Sequence, residues 1–206
     1  MQHIVFLTLT ILSHICAALF FAKPRFNKII TAAIWLMYSS VFFVLSPEGY
    51  INYFFSVALH LTLFFVTTTG RAVEKGFLFF SYATAYTCFS TLFNMLVPAI
   101  SSMAGKVILA FVMMAILQVI LYKLLLPPFR KVANYILKGW GKFYAVVLSF
   151  WALIVGQFLF TWMQLIVGVD KILCLLTIVA FCFTYIAIFN SMKNIVELSR
   201  EKQKSL

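Results

Sequence analysis

The sequence predicts an all-α fold: a polytopic integral membrane bundle of seven transmembrane helices, N-terminus outside and C-terminus cytoplasmic, with a cytoplasmic interfacial amphipathic helix. Three observations carry this expectation. The 206 residues are 64% hydrophobic and only 10% charged, too little polar surface to cover a soluble globule. Apolar runs recur along the chain, each close to the ~17–25 residues a helix needs to cross ~30 Å of hydrocarbon. The basic residues gather in clusters between alternate runs. Because lipid gives the backbone no hydrogen-bond partners, helix is the state open to each run.

Taken in order, the apolar runs are 3–22, 29–45, 52–69, 77–96, 107–126, 143–164 and 172–192. The first carries its cations after it rather than before it, so it reads as a retained helix and not as a cleavable signal. The second and third are the shortest. The fifth is stopped by Pro127 and Pro128, whose ring nitrogens cannot donate to a helical ladder. Beyond them Phe129, Val132, Ala133, Ile136, Leu137 and Trp140 form one helical stripe. Arg130, Lys131, Asn134, Lys138 and Lys142 take the other faces. This spacing predicts an interfacial helix over 129–140. Its cations Arg130, Lys131, Lys138 and Lys142 would meet anionic lipid of the inner leaflet, and Trp140 would sit at headgroup level. Gly139 and Gly141 loosen the turn into the sixth run.

Charge sets the orientation. Lys23, Arg25 and Lys28 follow the first run; Arg71 and Lys75 follow the third. Lys123 ends the fifth and Arg130 to Lys142 follow it, and Lys193 to Lys204 follow the seventh. Together these are fourteen of the 16 basic residues, and seven crossings put them all on one side. Only Lys106 and Lys171 lie opposite, with Glu48 and Asp170. Cations concentrate on the cytoplasmic side, which gives the orientation above. The net charge of +11 does not point to nucleic acid, because the basic residues do not share one soluble face.

Segment 193–206 forms a short cytoplasmic tail. Ile188, Ile195 and Leu198 fit heptad core positions, and Glu197 and Glu201 alternate with Arg200 and Lys204, as at the start of a signalling coiled coil.

Polar residues within apolar runs are candidate ligand-binding positions. They are His14, His60, Asn94, Gln157 and Gln164, joined by Trp162, with Gln118 in the fifth run. Gln157 and Gln164 stand seven apart on one helix face, and the expected site is a polar pocket open to the outside. Interhelical hydrogen bonding is the competing role for each residue. Two imidazoles, His14 and His60, make a poor metal site without a third ligand, so no metal is assigned. The four cysteines lie inside apolar runs without metal-type spacing and read as small buried hydrophobes. Enzyme chemistry finds no footing: the single aspartate, Asp170, lies between runs, and Ser13 and His14 diverge by ~100° on one helix. No catalytic residue and no cofactor are assigned.

The stretch KLLLPPFRKVANYILKGWGKFYAVVLSFWAL, with RAVEKGFLFFSYATAYTCFSTLF entering the fourth run, resembles sensor histidine kinases of the GHKL-ATPase type. These include the Agr-like, quorum-sensing peptide receptors of Gram-positive bacteria. The resemblance covers roughly 1–192 through loose, compositional motifs. It implies a membrane sensor whose last helix runs into a cytoplasmic dimerisation helix and an ATP-binding domain. This chain departs from that pattern. It ends at Leu206, its histidines His3, His14 and His60 lie in or beside apolar runs, and no Asn-rich or Gly-rich ATP-binding segment follows.

The expectation is therefore a sensor or receptor module without kinase activity in this chain. It would detect a small hydrophobic or peptide signal, since the outer loops are short and the chain, with 24 Phe, offers Phe-rich walls. Movement of the last two helices would then reach the tail. Expected partners are anionic lipid, that ligand, and a second copy or a cytoplasmic signalling protein. The alternative is a small-molecule uptake component such as the substrate-binding subunit of a modular transporter.

Overall fold

The computed structural model describes residues 12, 15, 16, 18, 19, 22–45, 50–133, 140–162 and 170–204. Of the first apolar run, Leu12, Ile15 and Cys16 are α-helical and Ala18 and Leu19 π-helical. The chain then forms a two-residue strand β1 (Lys23–Pro24), α1 (Lys28–Leu45), α2 (Tyr50–Thr67), and a second short strand β2 (Thr68–Thr69). The helices α3 (Ala72–Leu96) and α4 (Met103–Ile120) follow, the latter running through a π-helical turn (Leu121–Leu125) into α5 (Leu126–Ala133). Two long helices, α6 (Trp140–Trp162) and α7 (Asp170–Lys204), complete it.

Apart from the short α5, each described helix overlaps one of the apolar runs, and local chemistry explains the starts of α1, α3 and α4. Asn27 accepts the Ile29 N–H at 3.1 Å and opens α1. Ser102 accepts the Gly105 N–H at 3.0 Å and opens α4. At α3, Glu74 reaches back to the Arg71 N–H (3.4 Å) and also binds the Arg71 guanidinium. That cap moves the helix start to Ala72, ahead of the expected 77.

α3 is the centre of the bundle. It packs against α2, α4, α6 and α7, most extensively against α6. From Lys75 to Ala85 every residue is buried, whichever way it points. A helix occluded on every side needs no polar stripe. The approach of α6 is close: a Cβ on Gly76 would come within 2.7 Å of the Tyr144 ring. Glycine there sets how near the two backbones stand.

The outer helices show the opposite surface. Within α4 and its π turn, Met103–Lys123 spans 21 residues and only 17% of its apolar window is buried; for Leu175–Leu198 in α7 the values are 24 residues and 22%. Both are long and apolar enough to cross a membrane. A soluble core helix of that composition would be mostly covered. Here Ile108, Phe111, Ile116, Val119, Phe183 and Ile186 face outward. The expectation was seven such spans. Among the described residues two meet the length and hydropathy requirement, and Lys28–Tyr38, Val57–Thr67 and Phe143–Gly156 are shorter apolar helical stretches. α3 carries Glu74 and Lys75 in its first turn and several Ser, Thr and Tyr residues along its length. Neighbouring helices, rather than its own side chains, shield it.

One further expectation is corrected. Pro127 and Pro128 do not stop the helix: they sit in the first turn of α5. The π turn before them carries a Leu126 N–H to Leu121 O bond, five residues back. This widened turn accommodates the donors that the prolines lack. The stripe over 129–140 is described only to Ala133 in α5 and from Trp140 in α6, and Phe129 is buried rather than laid on lipid. Residues 193–204 of the expected tail continue α7, which runs unbroken for 35 residues, about 52 Å. Its buried seam there is Ile188, Met192 and Val196; of the expected heptad positions Ile188 is buried, whereas Ile195 and Leu198 are exposed. The i, i+4, i+8 spacing lines one face of the helix, and α7 packs against α3, α5 and α6.

Substitution separates the crowded glycine from an open one. Gly76→Val is expected to destabilise the bundle by about 1–3 kcal/mol. Gly156→Ala, where an added Cβ meets nothing within 4 Å, should leave thermal unfolding in detergent unchanged or slightly raised.

Candidate functional site

The described polar and aromatic groups converge on the half of the bundle that holds the β1–β2 ribbon and the starts of α1, α3 and α6. The ribbon is antiparallel, pairing Lys23 with Thr69 and Pro24 with Thr68. An Arg25 N–H bond to Thr67 O (2.8 Å) extends it.

Lys75 lies beneath it, buried. Its ammonium donates to the carbonyls of Phe65 (2.8 Å) and Thr68 (2.6 Å) and stands 5.6 Å from the Phe65 ring centre. Those carbonyls belong to the last turn of α2 and the strand after it, where a helix leaves acceptors unmatched and its dipole favours a cation. Lys75 therefore ties the end of α2 to the start of α3. Burial, and secondarily the nearby Arg25 charge, hold its pKa below the ordinary 10.5. From the sequence Lys75 reads as a cation of an exposed turn. The Arg71–Glu74 cap instead starts α3 early and turns the next residue inward.

His60, a candidate ligand-binding residue, is buried in an aromatic cluster between α1 and α2. Its ring meets Tyr38 edge-on at 5.4 Å and lies 5.9 Å from Trp35. The Trp35 indole N–H donates to the Thr67 hydroxyl (3.3 Å), which donates to Leu63 O (2.7 Å). His60 thus helps join α1 to α2. Asn94 lies near the end of α3, and Gln157 and Trp162 lie in the second half of α6. Their side chains lie outside the described set, as do those of Lys131, Trp140 and Lys142. His14, Gln164 and Lys138 lie outside the described residues altogether. Arg130 is exposed on α5.

A second set of contacts runs through α3. The Gln118 amide of α4 donates to the Tyr82 hydroxyl and also approaches Met114 Sδ at 3.5 Å. On another face Ser81 lies against the buried Tyr185 hydroxyl of α7. Aromatic rings link the same helices. Phe80 packs against Tyr144 (5.9 Å) and Trp151 (5.1 Å) of α6. Phe77 stacks on Phe129 of α5 at 6.0 Å with planes 7° apart, and approaches Tyr185 at 6.5 Å. Along α7, Phe181, Tyr185 and Phe189 follow at 4.4 and 5.9 Å, with Phe150 of α6 touching Phe181 at 6.1 Å. Each aromatic pair contributes about 0.5–1.5 kcal/mol beyond burial.

The candidate site is thus an aromatic junction between helices. Phe77 connects α3 with Phe129 of α5 and Tyr185 of α7, and Tyr185 also lies against Ser81 of α3. Sequence reasoning missed Phe77, Ser81, Tyr82 and Tyr185. The available signal was the spacing of Phe181, Tyr185 and Phe189, which stacks three rings on one face of a helix. Among the described residues no three His, Cys, Asp or Glu side chains converge to hold a metal ion. No family model, curated protein or solved structure matches the chain. The resemblance to GHKL-type sensor regions therefore rests on the quoted residues alone.

Replacing Lys75 by Met leaves the Phe65 and Thr68 carbonyls without their donor. The expected loss is about 1–3 kcal/mol of unfolding free energy. The lowered pKa adds a pH signature. Between the folded-state pKa and 10.5 the unfolded chain holds the extra proton, so stability rises with pH across that window. Lys75→Met should remove that rise in thermal melts collected from neutral to alkaline pH.

Proposed function

We propose that the chain is a multi-pass sensor module of the cell membrane. It would take up a small hydrophobic or peptide signal from outside and pass a helix movement to the cytoplasm through α7. One observation carries this reading: α7 is a single helix of 35 residues. Its apolar part is long enough to span the membrane, and its charged end continues about 18 Å past Met192. A helix without a break transmits rotation or piston movement along its axis. The Phe77–Phe129–Tyr185 junction supports the same reading, since it couples α3 and α5 to that lever. In this reading seven crossings place the N-terminus outside, the β1–β2 ribbon and α5 at the inner surface, and the C-terminal end of α7 in the cytoplasm. The ligand would enter the opposite half, near Asn94, Gln157, Trp162 and Gln164. The resemblance to peptide-pheromone receptors agrees with this assignment. No catalysis is assigned to the chain.

Spin labels at Asn27 and Lys193, both exposed, test the lever. Double electron–electron resonance in lipid nanodiscs should show their distance distribution shift when a binding hydrophobic peptide is added from a secreted-peptide panel. Phe77→Ala should reduce the shift while leaving binding within about twofold. A bound peptide that leaves the distribution unmoved would contradict the sensor. Co-purification with an ATPase pair would support uptake instead.

A further inference from the structure

The loop from Lys23 to Lys28 carries three cations in six residues, and the fold holds it in place. Lys23 is paired with Thr69 and accepts the Thr69 hydroxyl at its carbonyl (3.1 Å). The Arg25 N–H is bonded to Thr67 O at 2.8 Å, and Phe26 O accepts the Thr31 hydroxyl at 3.5 Å. The Lys23, Arg25 and Lys28 side chains are exposed on this fixed loop. Charge around it is unbalanced. Arg25 lies close enough to the Lys75 ammonium to oppose its protonation. Among the described residues 22–33 and 64–76 the one carboxylate is Glu74, and Arg71 engages it. Like charges held together in this way favour an external anion.

The surface that continues from the loop fixes what kind of anion fits. Ile29, Ile30, Ala33, Leu36 and Met37 on α1 are all exposed, and Ile29 and Met37 are 77% and 70% exposed. At these spacings they form one outward stripe that rises directly from the cationic loop. A cationic rim over an apolar stripe matches a molecule with an anionic head and a hydrocarbon tail. Free phosphate would use only the first half of that surface.

We infer that this rim is a binding site for one anionic phospholipid. Its phosphodiester headgroup would be held by Arg25 and Lys23, and an acyl chain would lie along Ile29, Ile30 and Leu36. The inference rests on the membrane reading above and deepens it by naming a site. Arg25 is the anchor, because its backbone is tied to α2 and a guanidinium matches a phosphate bidentately. The ligand would thereby brace α1 against the α2–α3 turn.

The test uses the full chain in nanodiscs of phosphatidylcholine with or without 30% phosphatidylglycerol, read by native mass spectrometry and by thermal unfolding. The wild type should retain phosphatidylglycerol in preference to phosphatidylcholine and unfold at higher temperature when it is present. Removing each charge, as Arg25→Gln and then Lys23→Gln/Arg25→Gln, should lower that retention about fivefold per step. The control Arg200→Gln/Lys202→Gln should keep it. Equal retention by Lys23→Gln/Arg25→Gln and wild type would overturn the site. A thermal shift from inorganic phosphate in phosphatidylcholine discs as large as that from phosphatidylglycerol would overturn the lipid assignment. Insertion into discs without any phosphatidylglycerol preference refutes this site alone, whereas failure to insert at all refutes the membrane reading with it.

Discussion

The occlusion of α3 on every side is the constraint on which the rest of the architecture depends. A helix of 25 residues with Phe77, Phe79, Phe80 and Tyr82 pointing in all directions is stable only when other helices cover each of those faces. α2, α4, α6 and α7 do so. The same enclosure explains its polar content. Thr84, Thr87 and Thr91 each return their hydroxyl to the carbonyl four residues earlier, at 2.6, 2.8 and 2.9 Å. Hydroxyls satisfied within their own helix carry little cost in an apolar interior. They also leave the surface compact enough for neighbours to approach. Gly76 beneath Tyr144 marks the tightest of these approaches.

From that centre the functional reading follows by contact. α6 meets α3 at Tyr144 and Trp151 through Phe80, and α7 directly at Phe150 through Phe181, so in the proposed sensor a movement of α6 would reach both. Phe77 and Tyr185 then connect α3 to α7, while Phe77 and Phe129 connect it to α5. α7 leaves the bundle along the seam of Ile188, Met192 and Val196. Packed aromatic surfaces adjust in discrete steps rather than continuously, which suits them to a switch with two arrangements. The basic end is anchored separately. Lys75 closes the end of α2, the ribbon pins the first cationic loop, and the Trp35–His60–Tyr38 cluster holds α1 to α2.

Much of the fold was legible because apolar run length and helix length follow from the same requirement. The runs at 29–45, 52–69 and 143–164 correspond to α1, α2 and α6 within about three residues at each end. The departures share a cause: they depend on which way a side chain faces, and that is set by tertiary neighbours. Lys75 reads as a surface cation until Glu74 caps the helix early. Ile195 and Leu198 fit a heptad, yet both are exposed while Met192 and Val196 are buried. Pro127 and Pro128 read as a stop because a widened turn leaves no mark in composition. The two-residue ribbon was equally hidden, since its bonds join residues 46 apart. For the candidate site, His60 was legible as a buried polar group but not as part of an aromatic cluster.

The central claim is that α3 is shielded by protein while α4 and α7 face hydrocarbon. A nitroxide scan in nanodiscs measures this directly, by collision with oxygen, which partitions into lipid. Labels at Phe79, Phe80, Tyr82 and Ala83 should all show low oxygen collision rates with no helical periodicity. Labels at Ile108, Val112, Ile116, Phe183 and Ile186 should show high ones. High oxygen access along one face of α3, or low access along α4 and α7 together, would contradict the account.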